Sequence, residues 1–298
     1  GNTNISSGQM IVASGNLNLG DGTTTATITT TGNTLIKVMT GAISLTANTT
    51  LATGTNNIML LADTINIDPA SQITGTTSTV TLAPATATRD VYVGGAATGQ
   101  LNTLQLPQSA ITPITTGTLI IGIAGDTGTM TIGATQLDDR TRFVANGGGG
   151  KFVVSGTITS TVAAGAGVIG VQFIGSGSTT VLSADIVTSG TAIDIADAVQ
   201  VDGANITLDT TNGGTVNTGA NIRITGGSAG IFATAGATTN NLTINSGTGG
   251  TALLGSLLGF GTGGGAGELV NNLTVNAATT ALPSVNILAG TVGITSTN

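Results

Sequence analysis

One short pattern of apolar and polar positions recurs along the whole chain: a polar or small residue, an apolar one, any residue, and a second apolar one. It reads NLNL at 16–19, AISL at 42–45, NIML at 57–60, TINI at 64–67, TVTL at 79–82 and TLQL at 103–106. It returns as NITL at 205–208, NIRI at 221–224, NLTI at 241–244 and NLTV at 272–275. A period of two over four or five residues predicts a short strand that turns two side chains inward. Gly, Asn, Thr, Ser and Asp fill the gaps and supply turns through positive φ or side-chain bonds to the backbone.

The spacing predicts how these strands are assembled. Ile36, Ile58 and Val80 fall 22 residues apart, and Ile43 and Ile65 keep the same interval. Two interleaved columns at one period are expected of stacked coils, whereas a run of hairpins gives no reason for them. Further strands are expected around 91, 104, 119 and 130, and around 193, 199, 206, 216, 222, 231 and 242, with corners of variable length. The predicted fold is all-β, a right-handed parallel β-helix (β-solenoid) of roughly 12 or 13 coils of about 22–25 residues, on the order of 60 Å long.

The stretch DTTNGG at 209–214 tests this reading, because Asn-Gly between β-branched residues is the strongest short hairpin signal. The columns favour a corner between two strands of parallel coils, with Asn212, Gly213 and Gly214 needed for backbone geometry. Antiparallel pairing of Leu208 with Val216 would overturn it. Asn146 to Gly150 is read as a wide turn within a single 1–298 segment, in preference to a domain boundary. In 251–270, Leu253, Leu254, Leu257 and Leu258 have helical spacing, but the glycine density favours a strand followed by a protruding loop.

Composition narrows the class. Only 6% of the 298 residues are charged and 2% aromatic, against about 25% charged in ordinary domains. The 39% hydrophobic share still allows a core, and 48 glycines without a three-residue period exclude collagen. Sixty threonines, with Val and Ile, suit a pleated surface. A net charge of -7 without a Lys/Arg cluster argues against nucleic acid and anionic membranes as partners. No apolar run approaches the length of a membrane helix, and the scarcity of Tyr and Trp disfavours an outer-membrane barrel. The absence of a starting Met or a leader suggests a processed product or a segment of a longer chain or polymer.

The candidate chemistry is thin. Without His or Cys there is no convincing nucleophile–base pair or zinc set. Asp138, Asp139, Arg140 and Arg142 form the one dense charge cluster. It could serve as acid, base and substrate clamp of a polysaccharide hydrolase, which needs two carboxyls across a groove. A solvated turn with local ion pairs is the favoured reading, so no catalytic residue is assigned and the chain is not expected to be an enzyme. Asp194, Asp197, Asp202 and Asp209 make a looser acidic run. Asp194 and Asp197 at a corner could hold structural calcium, with turn acids the preferred reading and no cofactor required. The glycine runs at 147–150 and 261–267 lack the following Gly-Lys-Ser/Thr of a phosphate loop. TTTATITTT at 23–31 has the composition of an ice- or polysaccharide-binding array but is confined to one coil. Tyr92 and the five Phe are read as core rather than as a sugar platform.

The stretches NITLDTTNGGTVNTGANIRITGG, NLTINSGTGGTALLGSLLG and TLQLPQSAITPITTGTLIIGIAGDTGTMTIG resemble the strand repeats of very large, filamentous-haemagglutinin-like bacterial surface proteins. The resemblance implies an extracellular adhesin shaft or surface fibre. Its partners would be copies of itself, end to end or side by side, or a host or neighbouring cell surface, glycans included. The Asn-Pro-Asn-Gly type motif of that group's secretion domain is absent, so the piece would correspond to the shaft. The alternative is a carbohydrate-active β-helix.

Overall fold

A computed structural model describes residues 2–5, 8–12, 14–96, 99–145, 151–175, 177–225, 230–234, 239–254, 270–281 and 291–296. Nearly all regular structure is parallel β, as expected for a β-solenoid. The chain divides into two compact units, Gly1–Thr131 with Leu137–Ala145, and Ile132–Gln136 with Asn146–Asn298.

In the first unit, strands Asn2–Ile5, Ala26–Thr30, Thr49–Gly54, Gln72–Gly75 and Ile114–Thr115 stack as one face. Gly8–Val12, Thr34–Val38, Ile58–Leu61, Thr79–Ala83, Thr118–Ile121 and Thr141–Val144 form a second, and Leu17–Leu19, Ala42–Leu45 and Thr64–Ile67 a third. Alternation along each strand sends every other side chain inward, and parallel register places like on like. Ile28, Leu51, Ile73 and Ile114 form one such column. Ile36, Leu60, Leu82, Ile121 and Phe143 form another, each at most 1% exposed. Each such side chain contributes roughly 1.5–3 kcal/mol on burial, so stability accumulates coil by coil.

Register keeps the 22-residue expectation in part, and the early coils, which set Leu17 on Ile43 and Ile28 on Leu51, are longer. Ile43 does stack on Ile65, and Ile58 on Val80. Ile36, however, stacks on Leu60, with Ile58 opposite Thr34. The turn after Thr49–Gly54, with Gly54 at φ 58°, accommodates the longer coil.

A larger departure lies between Ala83 and Ile114. Asp90–Val93 is followed by Thr103–Leu106, which pairs back on it in parallel, Asp90 opposite Thr103. The ladder order is therefore Thr103–Leu106, Asp90–Val93, Thr129–Ile132, with the later strand inserted before the earlier one. Thr103–Leu106 lies against Thr64–Ile67, yet the two belong to separate sheets. A short helix, Gln108–Ile111, begun by Pro107, returns the chain to the first face. The TLQL pattern anticipated the strand itself, but neither its place in the ladder order nor the helix was expected from the spacing.

In the second unit, Lys151–Val154, Thr179–Leu182, Ala198–Val201 and Ile231–Ala233 share a face. Asn241–Leu254, fourteen residues long, bends across two faces: residues 241–245 pair with Asn205–Asp209, and residues 252–254 with Ile222–Ile224. Asn272–Ala281 and Thr291–Ser296 continue that ladder. Phe143, Phe152 and Phe173 are fully buried, the last two edge to face at 5.4 Å, so these three aromatics are core as expected.

The Asn212 turn is a corner. Leu208 pairs in parallel with Ile186 and Ile244. Val216, expected in a strand, instead donates its N–H to Thr211 O at 2.8 Å and closes a tight turn. Asn212, Gly213 and Gly214 have φ of 52°, 67° and 88°, the left-handed region that Asn and Gly tolerate. Asp209 fixes the turn by accepting from the N–H of Thr211 at 2.7 Å and of Gly213 at 2.8 Å.

Candidate functional site

Several corner Asp and Asn residues share one geometric role. A side-chain oxygen at a corner accepts the backbone N–H of a residue on the neighbouring coil, a donor the strand ladder leaves over. Asn33 accepts from Asn57 N–H at 2.9 Å, and Asn57 from Thr79 N–H at 2.8 Å. Asp63 accepts from Thr86 at 2.8 Å, Asp90 from Thr129 at 2.7 Å and Asp185 from Thr207 at 2.7 Å.

Asp139, the foremost candidate acid, belongs to this set: its Oδ2 accepts Thr116 N–H at 3.0 Å. Burial raises its pKa to about 6, opposed by the Thr116 bond and reinforced by the charge of Asp138. Asp138, Arg140 and Arg142 are exposed around it. Asp63 shows the contrasting balance: burial pushes it up, but hydrogen bonds from Thr86 and the Arg89 guanidinium at 3.2 Å leave it below its ordinary value.

The acidic run 194–209 is not gathered into one site. On Ala192–Ile195, Ile193 and Ile195 point into the core, so Asp194 points away from it. There its Oδ2 accepts from Gln172 Nε2 at 3.1 Å and lies 3.7 Å from Arg223 Nη1, on the two register-matched neighbours. Asp197 is 2% exposed, on the interior side of the next corner, with Thr180 Oγ1 donating to its Oδ2 at 3.4 Å. Burial, opposed by that bond, raises Asp197 to about 6. Asp202 accepts from Ser183 Oγ at 3.3 Å and from Thr234 Oγ1, and Asp209 serves the Asn212 turn. Among the described residues no group of three or more carboxylates is placed to hold a metal ion.

The threonine-rich strand Ala26–Thr30 is in register with its neighbours, but the outward columns are mixed: Thr27 over Thr50 and then Gln72, Thr29 over Ala52 and then Thr74. The glycine runs 147–150 and 261–267, and Leu257 and Leu258, lie outside the described residues.

Sequence spacing missed a recess in the first unit, produced by the strand inserted at Thr103–Leu106. It has a volume of 760 Å³ and is lined by Ser44, Thr46, Thr64 and Asn66 on one side and by Gln100, Asn102, Thr103 and Gln105 on the other. Asp68 and Arg89 are its charged members, and Leu45, Ile65, Ile67, Leu101, Pro107 and Ala110 add apolar surface. The wall is tied down by Gln105, which donates to Gln100 O at 3.0 Å and accepts from Gly99 N–H at 3.2 Å. Leu101 stands on that wall 90% exposed. Hydroxyls and amides of this kind hydrogen-bond neutral polar ligands, and the Asp138–Arg142 cluster is not among the lining residues. Only the inserted strand itself could have signalled the recess, and nothing in the TLQL pattern says which rung it joins.

Comparison with protein-family models, with curated proteins and with solved structures gives no match.

Proposed function

We propose that this chain is a structural and adhesive β-solenoid module of an extracellular bacterial surface protein or fibre, a stiff shaft that associates with its own kind end to end or laterally. The observation that carries this reading is the use made of the corner acids and amides. Asp63, Asp90, Asp139 and Asp185 each direct a carboxylate oxygen to a backbone N–H of a neighbouring coil. Chemistry-bearing groups are thereby committed to holding coils together, and a parallel strand edge is a template for another copy. Electron microscopy of the purified protein over a range of concentrations tests it. Filaments or paired rods are expected, and particles that stay single at every concentration would refute the reading.

The recess beside Thr103–Leu106 favours a second reading, a module that also holds a neutral glycan. Binding to a polysaccharide panel, weakened by Asn66→Ala, would support it, and no binding to any member would remove it.

A further inference from the structure

Of the 5 prolines, Pro69 alone follows an aspartate. The link between such a pair is chemically weak: the aspartate carboxyl can close a cyclic anhydride on its own carbonyl carbon, and the proline nitrogen, part of a tertiary amide, leaves readily once protonated. Here the bond lies in the turn that joins Thr64–Ile67 to Gln72–Gly75. Asp68 Oδ1 accepts the N–H of Ala70 at 2.8 Å. That donor lies beyond the Asp68–Pro69 bond, so the carboxyl is folded forward over its own carbonyl and not back along the strand. The carbonyl oxygen of Asp68 accepts twice from Ser71, from its N–H at 2.9 Å and from its Oγ at 2.6 Å.

The surroundings hold this arrangement and let water reach it. Ser71 is 2% exposed, so its two donors are shielded from solvent. The coil before clamps the turn at both ends: Asp68 N–H donates to Leu45 O at 3.0 Å, and Asn48 N–H to Ala70 O at 3.1 Å. Two fixed donors on one carbonyl oxygen stabilise the oxyanion of a tetrahedral intermediate, and a clamped turn supplies the proximity of nucleophile and carbon. Asp68 lines the recess beside Thr103–Leu106, while Pro69 is exposed and lines a second hollow of 460 Å³ with Gln72 and Gln108. The bond between them is therefore open to water from two sides.

We propose that the chain cleaves itself between Asp68 and Pro69. A carboxylate oxygen of Asp68 attacks the Asp68 carbonyl carbon, and the carbonyl oxygen takes up the negative charge between the two Ser71 donors. The bond from that carbon to the Pro69 nitrogen then breaks; its electron pair stays on the nitrogen, which takes a proton from hydronium. A water molecule opens the cyclic anhydride, so Asp68 ends with a free α-carboxyl beside its side-chain carboxyl, and Pro69 with a free secondary amine. Both new ends stay anchored, because Thr64–Ile67 pairs with Ala42–Leu45, and Gln72–Gly75 with Thr49–Gly54 and Ile114–Thr115. The product is a nicked chain whose coils remain stacked.

The test is incubation of the purified full chain at pH 5, folded or unfolded in urea, read by denaturing electrophoresis, mass spectrometry and N-terminal sequencing. Fragments 1–68 and 69–298 are expected, the second beginning Pro-Ala-Ser, and the folded chain should cleave at least about tenfold faster than the unfolded one. Asp68→Asn keeps an acceptor for the turn but lacks the carboxylate, and should stop cleavage. Ser71→Ala removes one of the two donors and should slow it about a hundredfold. Melting curves establish that both variants are folded, and the comparison of folded with unfolded chain needs no variant. A folded chain that stays intact, an unfolded chain that cleaves as fast, or cleavage undiminished in Asp68→Asn would overturn the proposal.

Discussion

The backbone N–H of Thr116 donates to Asp139 Oδ2 at 3.0 Å, and the two residues lie 23 apart in sequence on successive coils. This bond turns the strongest candidate for an acid catalyst into a stitch, and it predicts an asymmetry between two substitutions. Asp139→Asn keeps an acceptor oxygen and sheds a carboxyl whose ionisation burial opposes, so stability at pH 8 should hold or rise. Asp139→Ala leaves the Thr116 N–H, on a residue 8% exposed, without its acceptor and should cost about 1–3 kcal/mol. Urea midpoints of the two variants check this, and equal losses would show that the bond does not form in solution.

A second expectation concerns pH. Burial raises Asp126, Asp139 and Asp197 to about 6, opposed by hydrogen bonds from Ile123, Thr116 and Thr180 respectively. Between the ordinary carboxylate value near 4 and about 6 the folded chain binds more protons than the unfolded one, so stability falls as pH rises through that window. Asp63, and Asp21 with its hydrogen bonds from Thr24 and Thr23, are lowered instead, and their contribution is lost as pH drops below the ordinary range. Melting temperature should therefore peak near pH 4–5, decline towards pH 7 and then level. A curve that climbs steadily from pH 4 to 8 would contradict the buried placement of these acids.

Gly75→Ala tests the close approach at one corner. A Cβ there would stand 1.9 Å from Ser78 Oγ and 2.3 Å from Thr53 Oγ1, and would break the chain of hydroxyls from Thr53 through Ser78 to Thr116. Overpacking of this kind costs about 1–3 kcal/mol. Combining it with Ser78→Ala should recover part of the loss in a double-mutant cycle, whereas additive losses would mean that the two sites do not meet.

Truncating Phe152 should be among the most damaging single changes. Its ring is 0% exposed and packs edge to face on Phe173 at 5.4 Å, and its register neighbour is the small Thr180, which cannot fill the void. Phe152→Ala is expected to lower stability by about 3–5 kcal/mol in chemical denaturation. A loss below about 1 kcal/mol would place the ring outside a packed core.

Strands were legible because alternation is a local property: NITL, NLTI and NLTV each occupy the strand that their pattern predicts. Register was less so, since it depends on how many residues each corner consumes. Ile36 meets Leu60 because the first coils are longer than 22, and Leu82 meets Ile121 because the excursion at 83–113 lies between them. Val216 has the β-branching of a strand residue, but the carbonyl oxygen of Thr211, in the turn that Asp209 fixes, takes its N–H first. For the acids, spacing gave nearness in sequence without side. Asp194 sits within a strand and Asp197 just past its end, so a three-residue separation puts one on the outer face and the other in the interior. The recess arises from strand order, which composition does not encode.

The asparagines of the second unit have a direction. Asn272 Nδ2 donates to Asn241 Oδ1 at 2.8 Å, and Asn241 Nδ2 donates to Asn205 Oδ1 at 2.8 Å, so every amide in the row points the same way. Such a row is a vector: its dipoles add, and its two ends offer different chemistry, a donor at one and an acceptor at the other. The next rung opposite Asn272 is Thr291, so this polarity is set inside the stack, by the sense in which each coil is laid on the one before it.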